Sequence, residues 1–464
     1  MASTTTLDAI DNETVMEANR ERAISLLIIL VNLWLWTNRP SLAQTCKLTE
    51  ANCICDKLNF SSDGLQQLRT VPRTTPPLYQ ISVKQLIAPY PDAVMLLLLS
   101  EFVEEIEYER FYERALRIPP NADLTALKLK NAPTVQVISV AAPNHHLAVL
   151  QIGRSGMRSL TAEFRKLHRL QFLHLDDGSL ETLSLDPLAN SPQITVLACT
   201  SNKIRQLIAS RNASLYIPLD DLLLGYNQLE TIDGDFFLPL RKLKFVTFEG
   251  NRIQRIEGRP ISLPMVTMIS FVQNQLTQLD VSEWQTPLLV ELFLETNNLT
   301  RIPTGIERLP SLMTLVVQNN LLTAVDLRRF EAWPNLMKID LAGNRIRNVL
   351  VSGTGRVSMP KLQLMSLANN ELAQLEFARW DFPALTTLTL VDNQLHQLPD
   401  LFQLFPKLQR VFVMQNPLLC KNVRRWQQYI LNFKIGIDSV VFGIPCSTNS
   451  TFTLPTGRVL CCVG

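Results

Sequence analysis

Catalytic chemistry is what this 464-residue chain most lacks. It contains no glycine-rich phosphate loop, no G-x-S-x-G elbow and no H-E-x-x-H. Of only five histidines, His145 and His146 sit together without a cysteine or carboxylate at metal-ligand spacing, so they read as solvated. His174 lies between two leucines and reads as a surface contact. No catalytic residue, metal or cofactor is expected, and no enzyme. Charge of one sign is missing too. With 44 basic and 42 acidic residues and no long basic run, the chain has no electrostatic footprint for nucleic acid. Only one long apolar run occurs, Ala23 to Trp36, behind Arg20 and Arg22 and ahead of Ser-Leu-Ala at 41–43. It falls short of the roughly 20 residues that span a bilayer. Residues 1–43 therefore read as a signal peptide, cleaved near Ala43 or Gln44, with Met16 giving a more ordinary signal length. No second run of spanning length follows, so the mature product is expected to be soluble and extracellular.

What the chain has in abundance is one spaced pattern. L-x-x-L-x-L-x-x-N-x-L recurs thirteen times between Leu124 and Leu418 at intervals of 23 to 26 residues. Its asparagine slot holds Asn202, Asn227, Asn251, Asn274, Asn297, Asn320, Asn344, Asn370, Asn393 and Asn416, and the first three units carry Ala132, Ser155 and Gly178 instead. Anchors two residues apart share one face of a short strand. One coil cannot bury that face alone, so stacked coils must share a core. A carboxamide both donates and accepts, which suits it to backbone groups of its own coil and the next. The expected fold is an α/β solenoid, a curved arc with short parallel strands on its concave face and disulfide-stapled terminal caps. Before Leu124, Leu78, Ile81 and Val83 match half the pattern, and Val94 to Leu99 read as strand-like but out of phase. The expected organisation is a cap at 44–77, a solenoid at 78–419 and a second cap at 420–464, where Val423 to Leu431 reads as an amphipathic helix over the last coil.

Cysteine placement agrees with caps outside the cell. Cys46, Cys53 and Cys55 follow the expected cleavage site, and Cys420, Cys446, Cys461 and Cys462 follow the last repeat. All seven are expected in disulfides, within the caps or between chains, while Cys199 occupies an inward anchor slot and reads as a buried thiol. Seven is odd, so one cap cysteine should be unpaired or free to bridge chains. Adjacent Cys461 and Cys462 must seek different partners, since their Cα atoms are only about 3.8 Å apart. Cys420 and Cys446 are expected to pair with each other or with one of the two, leaving the other exposed; full pairing within the caps is the alternative. Sequons stand at Asn59, Asn212, Asn298 and Asn449.

Residues that alternate with the buried anchors should face the concave side. They place Leu223, Phe245, Met268, Phe293, Met313 and Val316 there, beside Asp220, Asp221, Glu249, Glu291 and Glu295. Apolar side chains within an acidic rim suit a protein-binding patch.

With its asparagine ladder, the N-P-L-L-C run at Asn416–Cys420 and paired Cys461–Cys462, the chain resembles the mosquito leucine-rich immune molecules, secreted leucine-rich repeat proteins. Lacking sustained heptads, it resembles the coil-less type. The resemblance implies a non-enzymatic recognition or scaffold protein of insect innate immunity in haemolymph. It implies partners such as complement-like thioester proteins or another leucine-rich repeat protein, and disulfide-linked pairing. A cell-surface receptor or co-receptor ectodomain, or an extracellular matrix adhesion protein, is the alternative from another class.

Overall fold

In a computed structural model the described residues are 45–48, 52–59, 80–87, 93–440, 446 and 448–464. The expected signal peptide and Leu78 lie outside them. The chain divides into two compact units, Met1–Ile152 and Gly153–Gly464.

In the first unit, strand Thr45–Leu48 runs antiparallel to Asn52–Asn59, which begins a parallel ladder. That ladder continues through Gln80–Ile87, Glu105–Tyr108, Ala126–Leu129 and Val149–Ile152. Glu105–Tyr108 is a rung that the leucine pattern missed, because its inward residues are Ile106 and Tyr108. The apolar stretch before it corrects the strand-like reading. Ala93–Ser100 is an α-helix that buries Met95, Leu96 and Leu99. Leucine and methionine lose little rotamer freedom in a helix, and this run has only one β-branched residue, Val94. Ion pairs occupy the open face of the ladder: Lys84 with Asp56, Lys128 with Glu105 and Lys130 with Glu107.

The second unit is a solenoid. Its parallel sheet starts at Phe172–His174 and proceeds one coil at a time through Val196–Ala198, Asp221–Leu223, Phe245–Thr247, Met268–Ser270 and Glu291–Phe293. It continues through Thr314–Val316, Lys338–Asp340, Leu364–Ser366, Thr387–Thr389 and Arg410–Phe412. Every rung is in register, so the anchors form buried columns such as Val246, Ile269, Leu292, Leu315 and Ile339. In two coils phenylalanine takes the next inward slot, and the rings of Phe248 and Phe271 stack at 5.3 Å.

Each asparagine of the ladder works backwards along the chain, a correction to the expected link with the following coil. Asn297 Nδ2 donates to Phe271 O of the preceding coil and to Leu294 O and Glu295 O of its own. Its Oδ1 accepts from Leu276 N, also of the preceding coil. The same set recurs from Asn227 to Asn416. The residue before the asparagine slot, filled by Ser155 and Gly178 in two early coils, takes a left-handed turn in coil after coil, from Arg154 and Asp177 through Tyr226, Gln273 and Thr296 to Gln415, with φ of 55° to 57° at these positions. Only at Gly250 and Gly343 does glycine relieve that cost.

The C-terminal segment closes the stack with its own last rung, Ile435–Gly436 against Arg410–Phe412. The expected single helix is two, Cys420–Arg425 and Gln427–Leu431, broken at Trp426. Trp426 is buried there and borders a small cavity with Val411, Val413 and Ile435. Cys420 bonds to Cys462 and Cys446 to Cys461, with Cα separations of 5.0 and 5.3 Å. Neither member of the double cysteine is left exposed, so it offers no thiol for bridging chains. Antiparallel pairing of Ser450–Thr453 with Val459–Cys462 explains how both are served. Neighbouring residues on a strand point to opposite faces and reach separate partners. At the other end Cys55 is disulfide-bonded, and its backbone lies opposite that of Cys46, whose side chain is outside the described residues. Cys53 is not in a disulfide, a correction to its expected place among the bonded cysteines but in keeping with the odd count; it is a free buried thiol with Sγ 3.7 Å from Cys55 Sγ. Cys199 is free and buried, as its anchor slot implied.

Candidate partner-binding site

The open face of the second unit's sheet presents three rows of side chains, and over the coils from Thr200 to Glu295 they enclose a hollow of about 510 Å³. Asp221, Phe245, Met268 and Glu291 form one row in strand register; Leu223, Thr247, Ser270 and Phe293 form the next. Gly225, Glu249, Val272 and Glu295 follow two residues further on. The hollow is lined by Leu223, Phe245, Met268, Val272 and Phe293, with Glu249 and Glu295 as its carboxylates. Gly225 supplies depth, since a side chain there would meet the Glu249 carbonyl and Thr200.

Tyr226 is the site residue that pattern reading could not find. It occupies the left-handed turn of its coil with φ 55°, and its ring lies over Gly250 of the next. Its hydroxyl donates to Glu249 Oε1 at 2.7 Å, and the hydrogen bond and charge of Glu249 raise the phenol's pKa above the ordinary range. Glu295 differs from Glu249. Burial raises its carboxyl above the ordinary glutamate range; a hydrogen bond from its own backbone N–H and the charge of Lys338 oppose this, and Asp340 and Glu249 add to it. Its Oε2 is buried with no hydrogen-bond partner. Asp221 is likewise raised, by burial and then by Asp220, whereas Asp220 itself pairs with Lys244 at 3.0 Å.

Of the expected patch, Leu223, Phe245, Met268, Phe293, Glu249 and Glu295 come together here. Three members, Val316, Met313 and Glu291, are not in the lining. Val316 is buried beside Val317, only 2% exposed. Met313 precedes its strand, in line with Val290, and is not part of the lining. Glu291 faces the same side of the sheet beyond the hollow's rim. Thr247 and Ser270, at the ends of their strands, and Thr200 and Val272, two residues past theirs, also line the hollow and could have been read by carrying the alternation along and beyond each strand. His174 is half-buried, 3.8 Å from Asp176. His146 is less solvated than expected, with Nδ1 2.9 Å from Asp123. Among the sequons, Asn212, Asn298 and Asn449 are exposed, and Asn59 ends its strand with its side chain outside the described residues. Among the described residues no histidine, cysteine and carboxylate group is placed to hold a metal, and no helix is long and apolar enough to cross a membrane.

The leucine rich repeat family model matches residues 287–346 and 310–372. No curated protein sequence matches the chain. Among solved structures, the LRIM1/APL1C complex is similar with a TM-score of 0.58 at 17% identity, covering 90% of this chain and 71% of that one. The APL1 leucine-rich repeat domain gives 0.56 at 17%, covering 79% and 95%. TLR13, solved in complex with ssRNA13, gives 0.57 at 17%, covering 82% and 61%. The fold is thus that of a leucine-rich repeat solenoid.

Proposed function

We propose that this chain is a secreted, non-enzymatic recognition or scaffold protein of insect innate immunity that binds another extracellular protein through the hollow on its repeat sheet. The observation that carries this reading is the hollow itself. Half-buried apolar side chains on successive coils, Leu223, Phe245, Met268 and Phe293, line one hollow open to the surface. Contiguous exposed apolar surface rimmed by polar groups marks interaction sites. The coils that carry it are rigid, because the ladder pins each one to the last. Binding there needs no reordering of the backbone, which lowers the entropic cost of association.

The resemblance to the mosquito leucine-rich immune molecules, with the fold shared with LRIM1/APL1C and APL1, supports an immune setting. Complement-like thioester proteins or a second leucine-rich repeat protein are the proposed partners. Disulfides at both ends and exposed sequons at Asn212, Asn298 and Asn449 support passage through an oxidising, glycosylating compartment. The test is capture of haemolymph proteins by the full secreted chain and by a Phe245→Ser, Phe293→Ser variant. Loss of a captured protein with the double variant is expected. Retention of every captured protein would place binding elsewhere.

A further inference from the structure

Resting on that reading, we infer that the hollow takes one kind of occupant, an extended protein segment that presents a lysine or arginine between apolar side chains, with the cation set against Glu295. Three features converge on this chemistry. The first is the Glu295 carboxylate. Its Oε2 has neither solvent nor a hydrogen-bond partner, a state that is costly for a buried polar group and more so for a charged one. Glu249 lies in the same row two coils away, roughly 10 Å at strand spacing, and is already satisfied by the Tyr226 hydroxyl. The Glu295 carboxylate accepts from its own backbone N–H, so the unmet acceptor is its Oε2 atom alone.

The second feature is what surrounds it. No lining residue is cationic. Lys338 is the charge that favours ionisation of Glu295, with Asp340 and Glu249 opposing, yet no ion pair joins Lys338 to Glu295 among the described residues. The lining thus holds two carboxylates and no cation, with Lys338 acting on Glu295 from outside it. A phosphate-bearing or acidic occupant would be repelled, and a wholly apolar one would leave a charge buried without a partner.

The third feature is shape. Leu223, Phe245, Met268, Val272 and Phe293 offer apolar walls beside that charge. A long cationic side chain matches this, because its methylene stem packs on apolar surface while its head seeks the carboxylate. Recognition must proceed through side chains rather than by strand addition. The strands from Asp221–Leu223 to Glu291–Phe293 are paired on both sides, so no edge is free for a partner's backbone.

The probe is a phage-displayed random dodecapeptide library panned on the full secreted chain at neutral pH. Enriched sequences are then made as free peptides and their affinity read by fluorescence anisotropy. Enrichment of peptides with lysine or arginine flanked by apolar residues is expected. Replacing that lysine by norleucine should weaken binding roughly 30-fold or more, the usual consequence of removing one member of a buried charge pair. Glu295→Gln should weaken the lysine peptide comparably and leave the norleucine peptide unaffected. If the norleucine peptide binds wild type as well as the lysine peptide, while Phe245→Ser with Phe293→Ser abolishes both, the cation inference falls and the protein-binding hollow stands. If enriched peptides ignore the double phenylalanine variant, or none is enriched, the hollow is not the site and both readings fall. The norleucine comparison needs no variant of the protein, so a misfolded Glu295→Gln chain would leave the inference open to refutation.

Discussion

Tyr226 lies across the backbone of Gly250, its ring packed where a β-carbon would stand and its hydroxyl bonded to Glu249. A β-carbon added at Gly250 would come 2.5 Å from Tyr226 Cδ1. Gln273 and Thr296 hold the equivalent left-handed turn in later coils, so the turn itself does not demand glycine. The ring does. Gly250→Ala should therefore cost about 1–2 kcal/mol for the backbone and displace Tyr226 as well. In a Tyr226→Ser background the cost should shrink towards the backbone part alone. Thermal unfolding of the four chains in this cycle checks it; equal costs in both backgrounds would show that the ring is not the constraint.

Glu295→Gln should make the chain more stable at neutral pH. The native carboxyl is raised above its ordinary value, first by burial, so between the ordinary value and the raised one the native state holds more protons than the unfolded state. Stability from this group is gained as pH falls through that window and lost as pH rises through it. The advantage of glutamine should shrink as pH falls towards about 4, where glutamate protonates in the unfolded chain too. Urea denaturation of both chains at neutral and acid pH is the measurement. A constant difference would argue against a raised carboxyl.

Asn297→Ala strips the preceding coil of an acceptor for Leu276 N and leaves the Phe271 and Leu294 carbonyls without this donor. At roughly 1–3 kcal/mol for each buried group left unpaired, the loss should be among the largest available to a single polar residue here. Asn320→Ala should behave alike, since its four bonds repeat the set. An unchanged melting temperature for both would contradict the ladder. Exposed Asn298→Ala is the control, with little effect expected on stability.

Opening the Cys446–Cys461 and Cys420–Cys462 bridges frees loops of 15 and 42 residues. The chain-entropy model gives roughly 3–4 kcal/mol for each. Hydrogen exchange after mild reduction should show residues 420–464 losing protection before the coils ahead of them. The native chain should run as a monomer on non-reducing electrophoresis if these bridges are the ones formed. Cys53 and Cys199 should resist alkylation until unfolding, since both are buried and burial raises both thiol pKa values. Rapid labelling of either would overturn their placement.

Arg328 and Arg379 together hold the backbone of the 351–356 loop. Arg328 donates to Ser352 O, Thr354 O and Arg356 O; Arg379 donates to Val351 O, Gly353 O and Gly355 O. Arg379→Ala should loosen this exposed loop by about 1–2 kcal/mol, a roughly 5- to 30-fold rise in its open population. Limited proteolysis after Arg356 reads that directly. Cleavage no faster than in wild type would mean that Arg328 alone suffices.

Much of this architecture was legible in residue spacing. The position of Leu292 predicts burial, that of Phe293 predicts the open face, and that of Asn297 predicts a backbone clamp, because a strand's alternation and a coil's stacking leave no other arrangement for the apolar residues. The spacing failed where one residue's role depends on what comes alongside. Val94 to Leu99 carry no alternation to separate strand from helix, and local rotamer freedom decided for the helix. Val316 has the open-face position of Phe293, yet it is buried while Phe293 is not.

By itself, the order of residues determined a stack of repeating coils, their register and which side chains face in, since those follow from periodicity and from the need to pair buried amides. Only the tertiary structure decided the rest. It settled which cysteine meets Cys461 and which meets Cys462, because the bridge between Leu419 and Val463 brings Cys420 beside Cys462, a closeness that spacing does not reveal. It also set Tyr226 on Glu249 while leaving Glu295 Oε2 without a donor. Charges two coils apart share a surface only once the chain has wound, and the same chemical group then becomes either satisfied or wanting.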